Sequence, residues 1–315
     1  VKILFMGTPD FAVPSLMRLS ADGHDIAAVV TQPDKPKGRG YALAPPPVKV
    51  CAAELNIPVF QPPTLKDGAL LPLLESVRPD LIAVVAYGKI LPPYVLEAPP
   101  LGCVNVHASL LPKYRGAAPI QRCILAGDTV TGVTTMRMAE GLDTGDILLS
   151  AELTIGEYET AGELSERLAA LGAELLSKTL RSLRDITPRP QDDALATYAP
   201  MIDKNTAKLA FDRPAREIIN HIRGLCPTPG AFALYRGKPY KFFGARPFGN
   251  GADGSPSTAN PVPGAVLTAD AKNGLVISCA DGAVRITELQ APGARRMTAE
   301  AYLMGHSFNL GSRFE

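Results

Sequence analysis

The sequence has no tryptophan and only four histidines, His24, His107, His221 and His306, so imidazole chemistry has few candidates. Cysteine is scarce as well: five residues, at 51, 103, 123, 226 and 279, never form a Cys-x-x-Cys pair. A disulfide framework or a zinc site needs paired, regularly spaced cysteines, so neither is expected and a reducing, cytoplasmic setting fits. Long apolar runs are also missing. Stretches such as 81–87 fall well short of the roughly 20 residues that a membrane helix requires. The opening Val1-Lys2-Ile3-Leu4-Phe5-Met6-Gly7 is strand-like and lacks the apolar core and cleavage pattern of a signal peptide. The first turn, Gly7-Thr8-Pro9-Asp10-Phe11-Ala12, lacks the second and third glycines of a dinucleotide fingerprint. A proline stands where a pyrophosphate needs close backbone approach, which argues against NAD. No cluster of ligating side chains suggests a metal.

What is present describes a globular chain. Its 315 residues are 46% apolar and 20% charged, enough for two domains with their own cores. Net charge is +1 but unevenly spread: residues 1–202 carry 18 Lys and Arg against 22 Asp and Glu, and residues 203–315 carry 14 against 9. A basic C-terminal part points to a polyanionic partner, although chance segregation of surface charge gives the same tally.

Strand-like and helix-like segments alternate in the first half: strands at 2–6, 26–31, 81–87 and 103–107, helical patterns at 11–20 and 70–75. That alternation predicts an α/β fold with a Rossmann-like, mostly parallel sheet, flanking helices, and a site at the carboxyl ends of the strands. Residues 32–48 show no periodicity and carry Lys35, Lys37 and Arg39 against Asp34, as a functional or solvated loop would. Residues 160–183 form the strongest amphipathic helix, with leucines at 164, 168, 171, 175, 176 and 180. The Pro- and Asp-containing stretch 184–202 reads as a linker between a domain over 1–183 and another over 203–315. The latter predicts a helix at 215–224 and short strands at 231–235, 241–245, 265–268, 275–279 and 283–290, the pattern of a small OB-like β-barrel. The Gly/Ser/Pro-rich stretch 249–263 reads as a loop without chemistry.

Val104 and Val106 alternate with Asn105 and His107, so on a strand the amide and the imidazole share one face. An edge strand with a solvated face gives the same pattern. Asp143 lies in Glu140-Gly141-Leu142-Asp143-Thr144-Gly145, where flanking glycines permit a loop that presents a carboxylate, although such pairs are usually plain turns.

Asn105-Val-His107, Ser109-Leu-Leu-Pro112, Arg115-Gly-Ala-Ala-Pro-Ile-Gln121 and Gly141-Leu-Asp143-Thr-Gly145, in this order, resemble the signature of folate-dependent formyltransferases. The opening Phe5-Met-Gly-Thr-Pro-Asp-Phe-Ala12, the loop Thr31-Gln-Pro-Asp34…Gly38-Arg-Gly40 and the basic C-terminal part extend the likeness over the whole chain, to the members that act on tRNA. The resemblance implies catalytic roles for Asn105, His107 and Asp143. It implies a folate pocket at Ser109, Leu110, Leu111 and Pro112, lined also by backbone near Tyr87 and Gly88 and by Glu140 and Leu142. The implied co-substrate is 10-formyltetrahydrofolate, with no metal. The implied partner is the acceptor stem of initiator methionyl-tRNA, met by Lys35, Lys37, Arg39, Arg236, Lys238 and Lys241. A monomer that binds no membrane is expected. Two departures concern the tRNA contacts: Tyr41-Ala42 follows Gly40 where relatives often carry more lysine, and Cys226-Pro-Thr-Pro229 stands where some have an aromatic. Rival functions are formyl transfer to a small amine or sugar nucleotide, formyl-folate hydrolysis, and non-catalytic tRNA binding.

Overall fold

The structure, a computed structural model, describes residues 1–37, 42–249 and 262–315, apart from the side chains of Lys37 and Ala42. Arg39 and most of the 249–263 stretch lie outside the described residues. The chain divides into two compact units: Val1–Pro119, Val130–Thr154 and Ser165–Ala199 form the first, and Ile120–Thr129, Ile155–Leu164 and Pro200–Glu315 the second.

The first unit is built on β1 (Lys2–Gly7), an almost wholly buried apolar strand of the kind that only a sheet covered on both faces accommodates. After α1 (Val13–Ala21) the chain adds β2 (Asp25–Val30), the ribbon β3 (Lys35–Lys37) and β4 (Ala42–Ala44), α2 (Pro47–Glu54) and β5 (Val59–Phe60). It then passes through α3 (Leu71–Val77) to β6 (Leu81–Val85), α4 (Pro93–Leu96) and β7 (Cys103–His107). Beyond α5 (Pro119–Ala126), which belongs to the second unit from Ile120 onward, come β8 (Val130–Arg137), β9 (Ile147–Thr154) and α6 (Ala161–Arg181), the last joining the first unit from Ser165.

The sheet runs β5-β2-β1-β6-β7-β8-β9; β5, β2, β1, β6 and β7 pair in parallel, and β8 alone is reversed, pairing antiparallel with both β7 and β9. The winding reverses between β1 and β6, and the crevice at their carboxyl ends is where such sheets bind ligands. Thr8 Oγ1 and Gln32 Nε2 both donate to Tyr87 O there, at 3.1 and 3.2 Å, tying the three strand ends together. Within the same unit α6 lies close on β7 because Gly172 has no side chain: a Cβ would stand 2.9 Å from Val106.

Two segments differ from expectation. Lys35–Lys37 pair with Ala42–Ala44 as the short antiparallel ribbon β3–β4 rather than remaining without structure. Its base is fixed by Lys49 Nζ, which donates to Asp34 and Gln61, and Gln61 Nε2 donates to Asp34 at 2.7 Å. The Gln61 hydrogen bond and the Lys49 charge hold the Asp34 carboxyl below its usual range. Residues 184–199, expected as linker, are laced into the first unit instead. Arg189 exchanges backbone hydrogen bonds with Ile147 at 2.8 and 2.9 Å, and Arg115 does so with Thr197 and Ala199 at 2.9 and 2.7 Å. Prolines leave this strap too few donors for a ladder, so it pairs in isolated bridges that no periodicity announces.

The second unit carries α7 (Lys204–Ala207) and α8 (Ala215–Gly224), then β10 (Ala231–Tyr235), β11 (Lys238–Phe248), β12 (Val266–Asp270), β13 (Gly274–Cys279), β14 (Gly282–Gln290), β15 (Met297–Thr298) and α9 (Ala299–Leu303). The antiparallel order is β10-β11-β14-β13-β12, with β15 on β14. The last residues close it into a barrel: Leu234 and Glu315 exchange backbone hydrogen bonds on the β10 side, and Phe314 and Ser312 bond Gly264 and Val266 on the β12 side. Phe211, Tyr235, Phe242, Phe308 and Phe314 fill one end, with ring centroids from 4.9 to 6.3 Å apart.

Candidate active site

β7 is an interior strand, pairing β6 on one side and β8 on the other, so Asn105 and His107 are not on a solvated edge. Both are buried, at 9% and 6% exposure. Burying an amide and an imidazole on an apolar sheet is unfavourable unless each finds a partner. His107 finds two. Nε2 lies 2.9 Å from Tyr114 O and Nδ1 lies 3.6 Å from Asp143 Oδ2. A carbonyl can only accept, so Nε2 carries a hydrogen, and a second hydrogen on Nδ1, present in the imidazolium, faces the carboxylate. The Asn105 side chain makes no hydrogen bond among the described residues, which leaves its donor free for a ligand.

Asp143 sits at φ +53°, a left-handed conformation rare for a residue with a side chain. Its Oδ2 also accepts the N–H of Gly116 at 2.9 Å. Gly116 itself has φ +119° and stands where a Cβ would meet the Tyr198 ring at 2.8 Å and Ala199 O at 2.9 Å, so only glycine lets the strap pass. Gly145 is constrained in the same way, since a Cβ there would collide with Arg137 O. Asn105, His107 and Asp143 thus converge. Tyr114 O and the Gly116 N–H complete the cluster and were missed from the sequence, because main-chain atoms leave no residue-type signal.

The 109–112 segment turns away from the strand end. Thr134 Oγ1 donates to Ser109 O at 2.7 Å and accepts from Leu111 N at 3.2 Å, and Ser109 Oγ donates to Lys113 O at 2.6 Å. Ser109 and Leu111 are buried, Leu111 against Met136 and Ile147, so this segment offers a ligand mainly backbone. Tyr87 is buried too, its hydroxyl has no partner among the described residues, and burial pushes it up to about 12. The exposed backbone beside it comes from Ala86 (φ +47°) and Gly88 (φ +84°). Glu140 and Leu142 are exposed on the Asp143 loop. Cys103, at the start of β7, has its thiol pushed up to about 12 by burial, which makes it an inert core residue rather than a nucleophile.

Of the expected tRNA contacts, Lys35 is exposed on β3, and Arg236 and Lys238 are exposed where β10 turns into β11. Arg236 lies over the Tyr235 ring at 5.4 Å, and Lys241 Nζ donates to Pro229 O at 2.7 Å. Among the described residues there is no group of three or more His, Cys, Asp or Glu that could hold a metal, and no helix is long and apolar enough to cross a membrane.

Residues 1–180 match the formyl transferase family and residues 201–307 match the formyl transferase C-terminal domain. The chain belongs to the formyl transferase family. A methionyl-tRNA formyltransferase of Acetivibrio thermocellus is 48% identical over 313 residues, covering 99% of this chain and 98% of its own length. That of Syntrophus aciditrophicus is 47% identical over 314 residues, again covering 99% and 98%. Among solved structures, HypX of Aquifex aeolicus in complex with tetrahydrofolic acid superposes with a TM-score of 0.64 at 19% identity, covering 96% of this chain and 46% of that one. This likeness is one of fold.

Proposed function

We propose that the chain transfers the formyl group of 10-formyltetrahydrofolate to the α-amino group of methionyl initiator tRNA, acting as a cytoplasmic monomer. What carries the proposal is the buried meeting of Asn105, His107 and Asp143 at the end of β7, in a chain whose full-length relatives are methionyl-tRNA formyltransferases.

The folate supplies a formyl carbon bonded to nitrogen. The exposed backbone at Ala86 and Gly88, with that of the 109–112 turn, suits the hydrogen-bonding edge of a pterin, and exposed Leu142 suits its apolar face. Asp143, directly or through a water, takes a proton from the acceptor's ammonium, leaving an amine lone pair to attack. As the new C–N bond forms, the free Asn105 N–H donates to the formyl oxygen, which gains charge. His107 braces Asp143 through Nδ1, and its Nε2 hydrogen is anchored on Tyr114 O. The bond between the formyl carbon and the folate nitrogen then breaks; the acceptor nitrogen sheds two protons in all, one is returned to the leaving nitrogen, and the transfer releases one. Lys35, Lys37 and Arg39 of the 32–48 stretch, with Arg236, Lys238 and Lys241 of the second unit, are assigned to the acceptor stem as phosphate-seeking cations.

The test is an acceptor panel. With formyl-tetrahydrofolate, the protein is expected to formylate charged initiator tRNA and to leave charged elongator tRNA and sugar nucleotides unmodified. Formate release without tRNA, preference for a small amine, or no turnover at all would each contradict the assignment.

A further inference from the structure

We infer that Gln191 is a positioning residue that fixes the Asp143 carboxylate through the main chain of its loop, an inference that rests on the role proposed above for Asp143. The 139–144 segment is largely exposed, and Asp143 holds a left-handed backbone conformation that is strained in residues with side chains. Such a loop keeps one geometry only if something outside it holds its carbonyls. Gln191 does so with both hydrogens of one amide: Nε2 donates to Asp143 O at 2.8 Å and to Gly145 O at 2.7 Å. Its Oε1 accepts from Arg115 Nε at 3.0 Å, and Arg115 donates onward to Asp193 at 2.8 Å. These partners leave the amide a single orientation, because a flip would set its oxygen against two carbonyls and its NH2 against a guanidinium.

Arg115 is followed by Gly116, whose N–H grips the Asp143 carboxylate. One side chain therefore bolts together the two segments that meet at that carboxylate, gripping the loop by its carbonyls and the Gly116 arm by its arginine. The strap does not need Gln191 to stay in place. Backbone bridges hold it on both sides of that position, Arg189 with Ile147 before it and Thr197 and Ala199 with Arg115 after it. Gln191 is thus spare for folding and specific for the loop.

Gln191→Glu separates this role from space filling. The substitution is isosteric and keeps the Arg115 partner, but it turns an acceptor toward two carbonyls. Expected for Gln191→Glu is a single-turnover formyl-transfer rate lower by about 10–100-fold, since small misplacements of reacting groups carry penalties of that order. KM for both substrates and the thermal midpoint should stay close to wild type. Amide hydrogen exchange at Gly116 should quicken in both Gln191→Glu and Asp143→Ala. On an Asp143→Ala background the Glu substitution should cost little further, because residues that act through one group are not additive. A wild-type rate in Gln191→Glu, unchanged exchange at Gly116, or a full additional loss on top of Asp143→Ala would overturn the inference. If Asp143→Ala itself transfers formyl at the wild-type rate, the proposed role of Asp143 fails instead, so the two failures are distinguishable.

Discussion

Asn105 and His107 share a strand face but not a task. Both ring nitrogens of His107 face acceptors, Tyr114 O and the Asp143 carboxylate, whereas the Asn105 amide is unclaimed. From the sequence alone either residue is an equal candidate to meet a developing oxyanion; the geometry favours Asn105 for that part and His107 as the brace of Asp143. The turn that follows depends on a third residue, Thr134, fully buried on β8. Its hydroxyl satisfies both Ser109 O and Leu111 N. Thr134→Val keeps the shape and strands a carbonyl and an N–H in the interior, which should lower stability by about 1–3 kcal/mol. A shift of the urea midpoint in that range checks this, and a midpoint equal to wild type would show that the turn finds other partners.

Among the elements, β1, β2, β6 and β7 were legible because apolar β-branched runs bounded by Gly, Pro and Asp have few other uses. The amphipathic leucines announced α6, and evenly spaced turn signals announced β10 to β14. β8 and β9 escaped: Val130–Arg137 is rich in threonine and Ile147–Thr154 mixes acidic with apolar residues, so neither gives a clean period. The 187–199 strap was illegible for a deeper reason. Its hydrogen bonds reach partners up to 85 residues away, from Thr197 N–H to Pro112 O, and follow no repeat, while its Pro and Asp content mimics a linker. Asp143 could be singled out from its flanking glycines, but Gln191 carries no mark in the sequence.

Helix α6 is tied to the end of α1 by Asp22, which accepts from Ser177 and pairs with Arg18 and Arg181. The Ser177 hydrogen bond, then the arginines, hold its carboxyl below the usual range. A carboxyl lowered in the folded state binds fewer protons there than in the unfolded chain. Its contribution is therefore complete above the unfolded value of about 3.9 and fades as pH falls through the depressed folded value. Asp22→Asn should accordingly lose stability at neutral pH and show a shallower acid limb below about pH 4 in chemical denaturation. An acid limb as steep as wild type would contradict the assignment.

At the scale of the whole molecule, the charge segregation read from composition is carried by a closed antiparallel barrel in the second unit, whose aromatics are packed inward while Arg236 and Lys238 remain exposed. The ribbon β3–β4 presents Lys35 on the first unit, and Arg39 follows it by four positions in the sequence. Arg39→Ala should raise KM for initiator tRNA, or lower kcat, while folate affinity stays unchanged. A fall in folate affinity would place that arginine at the wrong substrate.

Formyl transfer at the β7 terminus is tested most directly by single-turnover rates of Asn105→Ala, His107→Ala and Asp143→Ala with formyl-tetrahydrofolate and charged initiator tRNA, measured beside the folate dissociation constant. Loss of Asn105 is expected to slow transfer on the order of 10²–10³-fold, as removal of an oxyanion donor does, with His107 and Asp143 also strongly impaired and folate affinity nearly unchanged. Transfer within a few-fold of wild type in all three variants would show that the chemistry happens elsewhere.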